Sequence, residues 1–478
     1  MNIFKIARII PLHIKVNADG MINDLYKGEK HFDEMSYDEM VQKLYQMEFA
    51  LSLGWSIEMR SLGHEVHDIF ISKLVQERWA DEHGLKDWER PHPGIILRQI
   101  EHYKPDILWI HALSKIPILL RLNLKKYFPF IKAIIGFAVD DPKYANMKDL
   151  DLLLCDSDIV CTRAKEAGIN AKILYNGFDD SILNIIDPIK FSKQDRIYDF
   201  TFAGSSGYNM GNRYTKRYWT LVELAQRTNL QLWSFERESS KNSINNNKEA
   251  LNQSSNLLSE KGMRVDVRLK MALFVFARKI IKGITWIIKK DWIMFFLSLI
   301  NLKRKRHFQL FVTINSVFSK RVGEKGNKTP VRGFFAGRSS ENNVKVPVSP
   351  IHLLFPDSCH EPVFGINMFH IWQRSKLTLN AYADNGYQFP SNPRMFEATG
   401  VGSCLVVENT PGIADFFEPD KEILTYQSID ECIEKVNYLL VHESERIEMA
   451  IAGQKRTLES HSYKNRCEQL NEYLQKLL

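Results

Sequence analysis

Several common chemistries lack their residues in this chain. It has six cysteines in 478 residues, with no C-x-x-C pair and no ligand-like cluster. That excludes a zinc ribbon and leaves no disulfide framework, so the usage fits a reducing compartment. Cys155 and Cys404 lie in apolar runs, where a free cysteine acts as a small hydrophobe. There is no Ser/His/Asp order, no zinc spacing, no Walker loop and no internal repeat. The opening, MNIFKIARIIPLHIKV, breaks its apolar run with Lys5 and Arg8 and has no small-residue cleavage site. It reads as a first strand and not as a signal peptide. Long uncharged runs are short even in the most basic region, Lys261–Arg321. Trp292–Leu302 runs to eleven residues and Phe308–Ser319 to twelve, against about 20 needed to span a bilayer.

Hydrophobic content of 44% and charged content of 25% are those of a folded globular protein. The length predicts two or three domains. The formal charge of +7 is uneven: Lys261–Arg321 holds fifteen Lys/Arg and two acids, Asp266 and Asp291, so +13. The remainder is −6 (7 minus 13). Trp286, Trp292, Phe295, Phe296 and the run Lys303–Arg306 lie in that basic segment. Such a segment suits an anionic lipid interface, or a packed core with a solvated basic face. RNA binding is a third reading, with no nucleic-acid motif beside it.

Apolar runs and helical spacings alternate along the rest. Strands are expected at Phe4–Val16, His64–Ile71, Pro105–His111, Ala133–Ala138, Leu152–Cys155 and Ala171–Tyr175. Helices are expected at Tyr37–Leu62 and Pro93–Lys104. A second series starts with Asp199–Ala203, a small-residue loop Gly204-Ser205-Ser206-Gly207, a helix carrying Arg213 and Arg217, and a strand at Leu230–Phe235. A Ser/Asn/Lys-rich linker and the basic segment interrupt it, and the pattern resumes near Pro362. Strand–helix alternation argues parallel sheets covered on both faces.

The most informative stretch is Lys376–Tyr426. A strand is followed by Ser391-Asn392-Pro393, a capping hydroxyl and an early proline that start a helix. Arg394, Met395, Phe396, Glu397 and Ala398 continue it, and Gly400 and Gly402 stop it. Ser403–Val407 is a buried strand. A helix N-terminus suits phosphate. Arg394 adds a planar cation for a diphosphate, and Glu397 shares its helix face, where a carboxylate accepts two sugar hydroxyls. The plainer reading makes Asn392, Arg394 and Glu397 a capped, solvated first turn with a local ion pair.

R-x-F-E-A-x-G-x-G, then L-V-x-E, then F-F-E-P-x-K-E-I-x-x-Y resembles the C-terminal half of the CgeB-like (spore-maturation) glycosyltransferases, relatives of the GT-B group. Gln76-x-x-Trp79-x-x-x-x-Gly84 and Pro93–His111 resemble the same family. The wider group carries a Glu pair spaced E-x7-E, whose second Glu holds the ribose of the sugar nucleotide. Glu397 matches that second Glu; the first would fall at Phe389, which is not acidic. In that family the glycine loop of the second domain faces the donor diphosphate.

Other candidates lie in the first half. His111 ends the strand ILWIH at the carboxyl edge of the sheet, where open α/β sheets bind ligands. It reads either as a base for an acceptor hydroxyl or as a structural histidine. Asp140 and Asp141 follow the strand AIIGFA at the same edge. Asp149-Leu150-Asp151 and Asp156-Ser157-Asp158 both spell D-x-D, a metal-holding motif in another glycosyltransferase fold, but both flank one strand, where Asp is common in turns.

The resemblance implies a GT-B fold: two Rossmann-like doubly wound α/β domains facing across a cleft. The first, 1–190, is the acceptor side. The second, 195–460, is the nucleotide-sugar side, with a helical basic insert in 236–350. A C-terminal helix, 461–478, returns to the first domain. The implied activity is metal-independent transfer of a sugar from a nucleotide-diphosphate sugar to an acceptor hydroxyl, with no cofactor. The acceptor expected by family association is a bacterial surface polysaccharide or its lipid-linked precursor. His111 and Asp140 are the catalytic candidates. Gly204, Ser205, Arg213, Arg217, Asn392, Arg394, Glu397 and Gly400 are the donor-binding ones. The expected location is cytoplasmic, with peripheral attachment to the inner face of an anionic membrane through 261–321 and no nucleic-acid partner. A sugar-nucleotide epimerase, which also uses this fold, and a non-catalytic polysaccharide-assembly adaptor are the alternatives.

Overall fold

The computed structural model describes residues 2–11, 34–47, 53–90, 93–111, 113–138, 147, 149–186, 196–210, 214–235, 349–382 and 392–478. By contacts the chain forms one unit of 1–237 with 316–478, and a second of 238–315. The second unit, with the basic segment 261–321, lies outside the described residues.

Two six-stranded parallel sheets organise the first unit. The first has the order β2-β1-β3-β4-β5-β6, with β1 Lys5–Pro11, β2 Glu65–Ile71, β3 Ile107–Ile110, β4 Ala133–Ala138, β5 Leu152–Cys155 and β6 Ala171–Ile173. The second has the order β12-β11-β10-β7-β8-β9, with β7 Tyr198–Ser205, β8 Leu230–Phe235, β9 Cys359–His360, β10 Ser375–Asn380, β11 Cys404–Glu408 and β12 Leu424–Tyr426. This is the two-domain, doubly wound α/β arrangement expected. Strands β3, β4 and β5 are buried at every residue. Helices cover parallel strands on both faces, which is why their sequences read as unbroken apolar runs.

Some expected elements change shape. Two helices, Tyr37–Met47 and Gly54–Ser61, take the place of one over Tyr37–Leu62, with 48–52 outside the described residues. A long helix runs from Glu443 to Ser460.

Strand order makes each sheet a binding platform. In the first, β1 pairs with β2 on one side and β3 on the other. In the second, β7 pairs with β8 and β10, so counting from β7 the order is 3-2-1-4-5-6. Connections leave a switch point in opposite directions, and the strands' carboxyl ends there open a crevice for ligands. The switch points are β1/β3 and β7/β10.

The chain links the two sheets at a tight junction. Phe178 N–H donates to the His461 carbonyl at 2.8 Å, and Tyr463 N–H to the Phe178 carbonyl at 2.8 Å. Ser462 and Asn465 form a capping box that starts the last helix, Tyr463–Leu477. That helix buries Tyr463, Cys467, Leu470 and Leu474 with Trp55, Trp109 and Phe137 of the first sheet's core.

Candidate functional site

The β7/β10 switch point collects most of the expected donor-binding residues. Strand β7 ends in Gly204-Ser205, and β10 ends in Asn380. The helix Pro393–Gly400 carries Arg394 and Glu397. Arg217 Nη1 donates to Ser205 Oγ at 2.9 Å, and its guanidinium lies 5.0 Å from the Tyr214 ring centre. Gly207, with φ +91°, turns the loop so tightly that a Cβ would sit 2.6 Å from the Tyr214 carbonyl oxygen. Only glycine accepts both demands.

Arg394 is half-buried and partly spent. Its Nη1 donates to the Ala203 carbonyl at 2.5 Å and lies 3.2 Å from the Met368 sulfur. The guanidinium sits 5.9 Å from the Trp372 ring centre, and 3.6 Å from where a Cβ on Gly204 would stand. One nitrogen of the fork therefore ties the helix to β7. Burial lowers the pKa of this arginine, with Glu397 opposing.

Glu397 is the least conventional group here. It is only 7% exposed, and its Oε2 has no hydrogen-bond partner. Burial pushes its pKa up to about 7, while Arg394 acts through space in the other direction. A solvated first turn with a local ion pair does not describe this carboxyl. A buried acceptor without a donor costs about 1–3 kcal/mol, more when charged, so the site stores a demand for hydrogen bonds from a ligand.

Asn392 behaves differently from the expected cap. It occupies the N-cap position with extended backbone, yet its side chain accepts no helix N–H. Its Nδ2 donates to Asn380 Oδ1 at 2.8 Å, and Asn380 Nδ2 donates back to Asn392 Oδ1 at 3.2 Å. Diverting an N-cap side chain forgoes about 1 kcal/mol of helix stability. It leaves the positive end of the helix without an acceptor from its own N-cap side chain.

Gly400, expected on the donor side, is set apart from the helix start. It lies at the far end of the helix, about 10 Å from Pro393 at 1.5 Å per residue. A Cβ there would meet the Phe178 ring at 2.5 Å. Its role is to let the interlobe segment pack closely. Arg213 and Asp140 lie outside the described residues.

His111 stands at the other switch point, on the first sheet. Its N–H donates to the Ile9 carbonyl at 3.0 Å, and its ring stacks on Phe137 at 5.4 Å. Nε2 is buried and without a partner. Burial first, then the charge of Arg8, hold its pKa well below the usual histidine value, so the ring is neutral at neutral pH. Arg8 Nε binds Asp68 Oδ1 at 2.8 Å with both side chains fully buried, and lies 5.6 Å from the Trp109 ring centre. Ser56 Oγ also donates to Asp68, at 2.8 Å. No hydrogen bond, ion pair or ring contact among the described residues joins His111 to the β7/β10 group.

Three of the four D-x-D carboxylates are engaged elsewhere. Asp149 pairs with Arg121 at 3.2 Å and Asp151 with Lys125 at 2.7 Å. Asp158 accepts from the Tyr175 hydroxyl at 2.7 Å. Among the described residues no three His, Cys, Asp or Glu are placed to hold a metal ion. No helix among them is long and apolar enough to cross a membrane.

Sequence reading missed Asn380, Arg8 and Asp68. Asn380 was findable in principle, because it ends an apolar strand at the edge where ligands bind. The Arg8–Asp68 pair depends on the register of two strands.

Comparison with known proteins agrees with the second lobe. Residues 346–472 match the family described as glycosyl transferase-like. No curated protein matches the sequence. Three solved structures are similar at low identity. A glycosyltransferase from Rickettsia africae ESF-5 has 11% identity over 100% of this chain and 99% of that one, with TM-score 0.47. Anabaena HepE in complex with UDP-glucose has 10% identity over 99% and 100%, with TM-score 0.48. The sucrose-phosphate synthase of Thermosynechococcus elongatus has 9% identity over 99% and 98%, with TM-score 0.48. TM-scores below 0.5 carry no weight for activity or substrate.

Proposed function

We propose that this protein is a glycosyltransferase that moves a sugar from a nucleotide-diphosphate sugar to an acceptor hydroxyl. The observation that carries the reading is the β7/β10 constellation, whose helix Pro393–Gly400 lies inside the glycosyl transferase-like match. It joins an unpartnered buried carboxyl on Glu397, a cation on Arg394 and a helix start left without its side-chain cap. A nucleotide-diphosphate sugar supplies what each lacks: hydroxyl donors for the carboxyl, and phosphate oxygens for the N–H groups and the cation.

In the transfer, the acceptor oxygen bonds to the anomeric carbon as the bond from that carbon to the diphosphate oxygen breaks. The diphosphate leaves with the electron pair, and the acceptor proton passes to a base, a role we assign to His111. Rate comes from positioning and from stabilising the departing charge. Asp149 and Asp151 are tied into ion pairs with Arg121 and Lys125, and we write the transfer without assigning them a part in it.

A panel of nucleotide-diphosphate sugars, incubated with and without acceptor glycans and read by mass spectrometry, tests this. Sugar on the acceptor supports transfer. Free epimerised sugar nucleotide makes the protein an epimerase, and no turnover of any donor makes it an adaptor.

The acceptor we favour is a bacterial surface polysaccharide or a lipid-linked precursor, with 261–321 docking on anionic membrane. The +13 charge of that segment supports it. Each Lys or Arg near such a surface contributes about 1 kcal/mol. Vesicle flotation should rise with anionic lipid and fall with salt, and fall again when Lys303, Arg304, Lys305 and Arg306 become Gln. Wild-type protein that never floats ends the membrane claim.

A further inference from the structure

We infer that Asn380 is a positioning residue that keeps the donor-facing helix uncapped, so that a phosphate group and not a side chain occupies its N-terminus. The inference rests on the donor reading above and adds a residue to it.

Asparagine is among the preferred N-cap residues, because its side-chain oxygen accepts an N–H of the first turn. Asn392 has the N-cap position and extended backbone, φ −72° and ψ 144°, yet makes no such bond. The cause is visible. Asn380, 3% exposed at the end of β10, holds both polar atoms of the Asn392 amide, at 2.8 and 3.2 Å. Pro393 follows as the first helical residue and has no N–H of its own. The eight-residue helix thus begins with a potential cap turned aside.

A second observation points to a ligand at the same place. One turn further on, Glu397 is 7% exposed with an unpartnered Oε2. A helix with a diverted cap and, one turn on, a buried carboxyl without a donor among the described residues carries two unmet demands. A nucleoside diphosphate meets both, with phosphate at the N–H groups and ribose hydroxyls at the carboxyl.

A released Asn392 side chain is therefore a built-in competitor. Without Asn380 it swings to its ordinary capping position and satisfies the N–H groups that the phosphate needs. This makes an unusual prediction: removing a second polar group should repair the loss caused by removing the first.

Isothermal titration of UDP, GDP and inorganic pyrophosphate into the full chain tests it. In Asn380→Ala, the affinity for whichever probe binds wild type should drop roughly five- to tenfold, the weight of one cap. In the double variant Asn380→Ala/Asn392→Ala no cap remains, and affinity should return to within about twofold of wild type. Asn392→Ser, whose short hydroxyl caps but does not span to Asn380, should weaken binding like Asn380→Ala. Asn392→Ser also keeps the test alive if Asn380→Ala fails to fold. A merely structural role for Asn380 predicts that the double variant is no better than the single, and that result overturns the inference. Equal affinity in wild type and every variant overturns it too, leaving the donor reading intact. If wild type binds none of the three probes, the donor reading itself fails.

Discussion

Replacing Glu397 by Gln removes a charge while keeping shape, and its effect should depend on pH in a defined direction. Burial raises the carboxyl pKa from 4.5 to about 7. An acid whose pKa is higher folded than unfolded stabilises the fold fully below pH 4.5, and that contribution is lost as the pH rises through 7. At about 1.36 kcal/mol per pKa unit the change is about 3 kcal/mol. At 7% exposure little solvent screening reduces it. Urea unfolding of wild type and Glu397→Gln should therefore give similar stabilities at pH 5. By pH 8 the glutamine variant should be the more stable, by up to about 3 kcal/mol. Ligand should invert the ranking. Ribose hydroxyls donating to the carboxylate favour its ionised form, so a nucleotide diphosphate should bind wild type more tightly as pH rises past 7. The glutamine variant should bind about 1–3 kcal/mol more weakly with no such rise. A stability gap that stays flat from pH 5 to pH 8 refutes the reasoning, because it means the carboxylate is already solvated in the free protein.

Three further outcomes are expected. Gly400→Ala should destabilise by about 1–3 kcal/mol through overpacking against Phe178, and Phe178→Leu in the same chain should return part of the loss in a thermal melt; a neutral Gly400→Ala would show that the contact is loose. Asp68→Asn should cost about 3–5 kcal/mol by leaving the Arg8 guanidinium without its buried counter-charge; a loss below about 1 kcal/mol in urea would mean that water replaces the carboxylate. His111→Ala should cut turnover by roughly 10²–10⁴ with donor affinity unchanged, and the acid limb of the wild-type pH–rate profile should lie below the ordinary histidine value of 6.5, since burial and Arg8 depress this histidine's pKa; unchanged turnover would leave His111 a structural residue.

What the sequence makes legible follows the range of the forces involved. Strands such as AIIGFA and LLLC are readable because both faces are buried, so composition alone marks them. Ser428 and Ser462 cap their helices through bonds three residues away, 3.2 and 3.3 Å, and such local signals survive in a linear string. The start of the Pro393–Gly400 helix looks the same on paper. Asn392 carries the same kind of capping signal, and nothing within a few residues contradicts it. The contradiction comes from Asn380, twelve residues back on another element. Arg8 and Asp68 are harder still, since their bond joins residues 60 apart and exists only in one strand register. Gly400 reads as a helix stop, while its structural reason is an aromatic ring from the segment between the lobes. In the donor-side group the local rule fails where a distant residue overrides it, at Asn392, and where a polar group is buried without a partner, at Glu397. Those two departures meet on one helix, the one to which the proposed function assigns the donor.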